Sequence, residues 1–173
     1  MLKARVEEAL NQQLNEELFS AYLYQAMSAD FQRKNLPGFA SWMSIQAQEE
    51  MAHARKFYKF ILDRGGKVQL KAIAQPQAEW SSPSAAFAAG LTHERHISEC
   101  IHNLYAVSEE ERDYPTRVFL HWFIEEQVEE EATSEEWGEK VKRVENDPSG
   151  LFAVDKEAAT RTFDLVLAFG PAA

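Results

Sequence analysis

Four stretches of the chain place apolar residues at alternating intervals of three and four, the spacing that keeps side chains on one face of an α-helix. The first runs from about Leu2 to Lys34 and the second from about Gly38 to Arg64. The third runs from Pro83 to about Glu109, and the fourth starts at Asp113 and Pro115 and continues to about Asn146. Asn35-Leu36-Pro37-Gly38 reads as a short turn that returns the second helix antiparallel to the first. Gly65 and Gly66 supply positive-φ residues to close the second helix. Ser82 before Pro83 has the form of an N-cap followed by proline at the first helical position. Between them lie about sixteen irregular residues, including Pro76 and Trp80, more than a compact domain leaves structureless, so this connection is predicted to cross from one end of the molecule to the other. The order is then up-down-down-up. A shorter fifth helix is expected from Leu151 to about Thr162, after Asn146-Asp147-Pro148-Ser149-Gly150. The predicted class is all-α: a four-helix bundle with a long crossover between helices 2 and 3 and a short fifth helix. Residues 1–163 form the bundle domain and 164–173 an apolar C-terminal tail.

The stripes are not purely apolar. The first helix reads Leu10, Leu14, Glu17, Ala21, Tyr24, Ser28, with Glu17 inside the row. The second reads Phe39, Met43, Gln46, Glu50, His53, Phe57, Phe60, so a carboxylate and an imidazole three apart point where phenylalanines point. In the third, Phe87, Leu91, Glu94, Ile97 and Ile101 enclose a glutamate; the fourth gives Leu120, Phe123, Gln127, Glu130, Ser134, Trp137, Val141. Ionised carboxylates in an apolar interior cost several kcal/mol or more each unless a positive partner is present. No lysine or arginine lies on these stripes at the same level, which leaves His53, bound protons or a metal. Carboxylate oxygens with one imidazole suit iron, manganese or zinc, and without thiolates an oxygen-rich iron or manganese pair fits better than structural zinc.

Spacing adds a second argument. Glu17 to Glu50 and Glu94 to Gln127 are both 33 positions; Glu17 to His53 and Glu94 to Glu130 are both 36. A helical hairpin duplicated about a pseudo-twofold axis would carry one glutamate from each of two helices, plus an i, i+3 pair from each of the others, to one level. Facing carboxylates could there bridge two metal ions. Tyr24, seven residues after Glu17, falls on the same face and is placed to hydrogen-bond a ligand or give up an electron. Glu126 and Glu129 flank the Gln127 and Glu130 row and could face Glu49, making a more hydrated oxygen-only site beside the first. His93, His96, His102 and His121 share no such registry and read as surface or ordinary core residues.

Composition narrows the partners. With 18 basic against 28 acidic side chains the formal charge is -10, which argues against nucleic acid and for cations. At 45% hydrophobic, 173 residues can bury one substantial core. A lone Cys100 makes no internal disulfide, and no stretch has signal or membrane-spanning length; the expectation is a soluble cytoplasmic protein with no membrane partner.

Glu17, Glu50-Met51-Ala52-His53, Glu94 and Gln127-Val128-Glu129-Glu130, spread over four helices with a long second connection, resemble the non-haem ferritins of bacteria and archaea. The constellation is the established di-iron signature of ferritin-like bundles, matched in this chain and not new to it. The resemblance implies an iron-storage protein with ferroxidase activity, in which Glu17, Glu50 and His53 hold one iron and Glu50, Glu94 and Glu130 the other, with Glu50 bridging. It makes Gln127 a hydrogen-bonding neighbour of the centre and Tyr24 the adjacent tyrosine. Glu49, Glu126 and Glu129 would join Glu130 around a third iron site. It further implies Fe2+ with O2 or H2O2 as substrates and a homo-oligomeric cage, usually of 24 subunits, filled with ferric oxyhydroxide. Haem-containing bacterioferritins carry Glu-x-x-His on both the second and fourth helices; Gln127 and Glu130 depart from that pattern, so haem is not expected. The alternatives are such a bacterioferritin, a manganese-catalase-like or rubrerythrin-like peroxidase, and a miniferritin-like shell acting by binding alone.

Overall fold

The structure, a computed structural model, describes residues 2–163, so the expected tail at 164–173 lies outside the described residues. Within them the chain forms five helices and no strand: α1 (Ala4–Arg33), α2 (Pro37–Asp63), α3 (Pro83–Glu110), α4 (Tyr114–Val144) and α5 (Pro148–Ala158). α1 packs on α2 and α3, α3 on α4, and α5 against α2 and α4. No helix among the described residues is long and apolar enough to cross a membrane.

The two hairpin turns are built alike. Asn35 and Arg112 take left-handed backbone conformations, φ 57° and 54°, immediately beyond α1 and α3. In each, the following amide reaches back to close the helix end: Leu36 N to Phe31 O at 3.0 Å and Asp113 N to Ser108 O at 2.8 Å. At the end of α2 only Gly65 has positive φ (70°). Gly66, expected to share that role, instead leaves room for packing: a Cβ there would sit 2.8 Å from a Leu2 methyl and 3.1 Å from the Ile61 carbonyl.

The expected caps form at Ser82, which accepts from Ala85 N, and at Asp113, which accepts from Thr116 N. The fifth helix starts earlier than expected because Asp147 caps it in the same way, with Pro148 in its first turn; it also stops earlier, at Ala158.

The first part of the crossover, residues 64–82, is held by polar residues of α1. Asn11 donates to Lys67 O (3.0 Å) and accepts from Gln69 N (2.6 Å). One turn on, Asn15 donates to Gln69 O (3.1 Å) and accepts from Lys71 N (2.8 Å). These side chains supply the backbone partners that an irregular segment would otherwise lack.

The core divides into two apolar clusters. One gathers Phe31, Phe39, Trp42, Phe87 and Val141 at the α1–α2 turn end, with Phe39 and Phe87 edge to face at 5.5 Å. The other gathers Leu10, Phe57, Ile61, Ile101, Leu120 and Phe123 toward the opposite end. Between them lies a polar layer.

Candidate metal centre

That layer is where the interrupted stripes meet. Glu17, Glu50, His53, Glu94, Gln127 and Glu130 are all buried, none more than 7% exposed. Apolar residues one turn to either side on each helix fix the rotation that turns them inward: Leu14 and Ala21 around Glu17, Phe57 beyond His53, Ile97 after Glu94, Phe123 before Gln127.

Three groups of ligand atoms come within 4.8 Å of one another: Glu17, Glu50 and His53; Glu50, Glu94 and Glu130; and His53, Glu126 and Glu130. Glu50 belongs to the first two, so one carboxylate faces both. Its Oε2 lies 3.3 Å from His53 Nδ1. Gln46 Nε2 donates to Glu50 Oε1 at 2.9 Å and to Glu130 Oε2 at 2.8 Å, and Gln13 donates to Glu17 Oε1 at 2.9 Å. The Tyr24 hydroxyl donates to Glu94 Oε1. Gln127 Nε2 lies 3.2 Å from the carbonyl of Glu94 and 3.4 Å from its Oε2.

The electrostatics of the layer are those of a crowded acid cluster. Burial, then the Glu50 charge, pushes Glu17 and Glu130 up to about 8. Burial and the charges of Glu50 and Glu130 raise Glu94 well above the usual carboxylate range. Burial opposes the charge on Glu50 too, but the His53 imidazolium beside it and the Gln46 amide hold it below its ordinary value. His53, despite burial, is lifted to about 10 by Glu50, then Glu17 and Glu130. The shifts run one way: they favour charge on Glu50 and His53 and oppose it on Glu17, Glu94 and Glu130. Glu17 Oε2 is buried with no hydrogen-bond partner among the described residues. A buried carboxyl oxygen without a donor, beside the Glu50 carboxylate and the His53 imidazole, fits a divalent cation better than it fits a packed core.

The family model for the Ferritin-like domain matches residues 7–144, which takes in all four long helices and every residue of this layer. The chain belongs to the ferritin-like family. It is 38% identical over 164 residues to a bacterial non-heme ferritin of Staphylococcus aureus, covering 95% of this chain and 99% of that one. The corresponding Staphylococcus haemolyticus protein is 39% identical over 164 residues, with the same coverage of each chain. Among solved structures, an open-pore ferritin from the archaeon Archaeoglobus fulgidus superposes with TM-score 0.92 at 41% identity, covering 94% of this chain and all of that one. A form of that ferritin engineered to be closed gives TM-score 0.93, also at 41% identity, covering 95% of this chain.

In this ferritin-like chain the flanking acids are arranged less uniformly than their sequence pattern suggests. Glu126 is half-buried, its Oε1 3.9 Å from His53 Nε2. Glu129 is exposed and joins none of the three ligand groups. Glu49 is half-buried and already has a cation: Arg161, from the segment after α5, ion-pairs with it. Burial raises the Glu49 carboxyl, Arg161 draws it back, and the neighbouring Glu50 adds to the rise. His93 is half-buried over Tyr24, 2.7 Å from Ser20 Oγ, and His96 is exposed.

Three participants escape the pattern of the stripes. Gln46 lies on its stripe but looks like filler until its amide is seen to span Glu50 and Glu130. Gln13 is one turn before Glu17, an i, i+4 partner that helical spacing could have offered. Arg161 has no local signal at all, because it reaches the layer only through the docking of α5.

Proposed function

We propose that this chain is the subunit of an iron-storage ferritin, and that Glu17, Glu50, His53, Glu94 and Glu130 bind two ferrous ions as substrate and let them be oxidised together. The observation that carries the reading is the shared position of Glu50 between two ligand groups, one containing His53 and the other Glu94 and Glu130. Two ions held on one carboxylate can each give one electron to the same oxidant. With two protons, O2 then leaves as H2O2, or H2O2 as two waters, and both ions become ferric.

The residues have separable tasks. Glu50 bridges and offsets the charge that rises by one unit on each ion, while His53, as the free imidazole, supplies the single nitrogen ligand. Gln46 orients Glu50 and Glu130, and Tyr24 and Gln127 orient Glu94. Displaced protons leave Glu17, Glu94, Glu130 and His53 as the cations bind. With only one imidazole the centre holds ferric product weakly enough to pass it on, past Glu126, to a store of ferric oxyhydroxide.

Cage assembly and a cytoplasmic location belong to the same reading. The outer α1–α2 face supports assembly: Tyr22, Met51, Tyr58 and Ile73 are exposed and continue shallow apolar grooves lined by Leu18 and Ala47. An apolar face of this kind marks a subunit contact. Twenty-four copies of a 19.8 kDa chain would weigh about half a megadalton.

The test is an anaerobic ferrous titration followed by mixing with O2. Wild type is expected to bind two ions per subunit tightly and give a fast transient ferric absorbance. Glu50→Ala and His53→Ala are expected to lose that phase while keeping the solution mass of the assembly; a fast phase retained in both would show that oxidation occurs elsewhere.

A further inference from the structure

The segment after α5 is brought to the metal layer by a specific dock. Gly38, in the first turn of α2, approaches α5 so closely that a Cβ there would fall 1.6 Å from the Asp155 carbonyl oxygen. Asp155 Oδ1 in turn accepts the Phe39 amide at 2.9 Å, satisfying one of the open N–H groups at the start of α2. With α5 fixed there, the chain leaves it at Ala158 and Arg161 reaches along α2. Its guanidinium carbon lies 4.3 Å from the centre of the Trp42 ring, and Nη2 donates to Glu49 Oε2. Nη1 is buried and has no hydrogen-bond partner among the described residues. Trp42 and Glu49 are two helical turns apart on one face of α2, and Glu49 adjoins Glu50.

We propose that Arg161 is a tethered counter-ion that competes with a metal ion for Glu49, so that this carboxylate is held either by the arginine or by a cation leaving the buried centre, never by both. The inference rests on reading the buried layer as a metal centre. A guanidinium does not lose its proton in proteins, so its charge can be removed from Glu49 only by moving the side chain. A divalent ion on the same carboxylate would meet that charge at a few ångströms, on the order of the distance at which like charges repel strongly at a protein surface. The arginine is also only partly held, by one carboxylate and one ring, with a buried nitrogen unspent. Release lets that nitrogen reach water, and Trp42 remains as the shelf to which the side chain returns. The segment after α5 is thereby coupled to the passage of metal between the centre and the α2–α4 face.

Zinc, which undergoes no redox change, is the probe. Zn2+ titrated calorimetrically into the metal-free assembly is expected to fill the buried centre first and the Glu49 position in a later, weaker step. Arg161→Ala should tighten that later step about tenfold, as removal of a competing unit charge would. Arg161→Lys should leave it close to wild type, since the charge is kept, and Glu49→Gln should abolish it while sparing the earlier steps. Should the alanine variant misassemble, Arg161→Gln keeps the length of the side chain without its charge and reads the same step. Zinc-soaked crystals should show Glu49 contacting zinc only where Arg161 has swung away. An unchanged later step in Arg161→Ala and Arg161→Gln, or zinc on Glu49 with the arginine still paired, overturns the competition and leaves the buried centre standing. Loss of the earlier steps in wild type would instead remove the centre itself, and this proposal with it.

Discussion

The α1–α2 and α3–α4 hairpins hold equivalent places around the carboxylate layer and are not equivalent in what surrounds it. Their turns match, Asn35 with Arg112, and their first carboxylates match, Glu17 with Glu94. The offset that relates those pairs carries Tyr24 to Ile101, Gln46 to Phe123, Ser20 to Ile97 and Gln13 to Gly90. Every one of these positions is polar in the first hairpin and apolar or bare in the second. Gln13, Tyr24 and Gln46 between them donate to Glu17, Glu94, Glu50 and Glu130, whereas the second hairpin contributes only the longer contacts of Gln127 to Glu94. Duplication explains where the candidate ligands are; the side chains that aim them come almost entirely from one copy. The second hairpin supplies Glu94 and Glu130 in a greasy wall, whose burial opposes their charge.

The largest expected effect separates Glu50 from its counterpart Gln127. Glu50 is a carboxylate shared by two ligand groups, whereas Gln127 carries no charge and turns its amide nitrogen to Glu94. Glu50→Gln, which keeps the shape and removes the charge, should slow ferrous oxidation by about 100-fold or more, beyond the ~10–100-fold usual for outer partners of a metal ligand. Gln127→Leu should cost only several-fold, through loss of its contacts to Glu94. Stopped-flow absorbance on both variants decides the matter: similar losses would mean that the two hairpins contribute alike and that the asymmetry is superficial.

How much of this was legible in the sequence follows the same division. The convergence of these carboxylates and His53 on one layer could be read because a helix repeats its faces and a duplicated hairpin repeats its spacing, so that 33 and 36 occur twice. Gln46 sat on a stripe but carried no charge, and its role depends on which carboxylates lie across the bundle. Asn11 and Asn15 carry no local signal of their role as the partners of the crossover backbone. The start of α5 was readable: Asp147-Pro148 repeats the cap logic of Ser82-Pro83, and the nearby Ser149-Gly150 disguised it as loop. Arg161 was not readable, because no residue near it in sequence predicts Asp155 at the head of α2. Contacts set by helical period were legible; polar contacts set by docking were not.

A middle-sized effect concerns pH. Glu17 and Glu130 (raised to about 8) and Glu94 (raised well beyond its ordinary value) hold protons in the folded, metal-free chain after the unfolded chain has lost them. Each contributes stability that is complete below the unfolded carboxylate value and drains away as pH rises through the folded one. His53, raised from 6.5 to about 10, acts in the same direction over a higher window. Glu50, lowered, acts oppositely, but its contribution is lost only on acidification below the ordinary carboxylate range. The melting temperature of metal-free protein should therefore fall between about pH 5 and pH 8, and the zinc-loaded protein should not follow it, because metal replaces the protons. Glu17→Gln should shallow the fall. A melting temperature that rises over this interval without metal would mean that the acids are ionised and compensated by some other cation.

The smallest expected effect tests the donors of the first hairpin one at a time. Tyr24 reaches across from α1 to Glu94 on α3, its ring passing 3.6 Å from where a side chain on Gly90 would begin. That hydrogen bond favours the charged form of Glu94, opposing the burial and the neighbouring charges that raise it. In Tyr24→Phe the ring keeps its packing and Glu94 loses its hydroxyl donor, so the carboxyl should hold its proton harder and yield to metal less readily. The cost of one such hydrogen bond to a charged group is about 1.5–3 kcal/mol where it is lost outright. Gln127 still addresses the other oxygen, which should limit the change to about tenfold or less in zinc affinity at neutral pH. Because the defect lies in proton competition, it should shrink as pH is raised toward 9. A loss of affinity that is the same at every pH would instead make Tyr24 a packing residue like its counterpart Ile101, and the donor role would then belong to Gln13 and Gln46 alone.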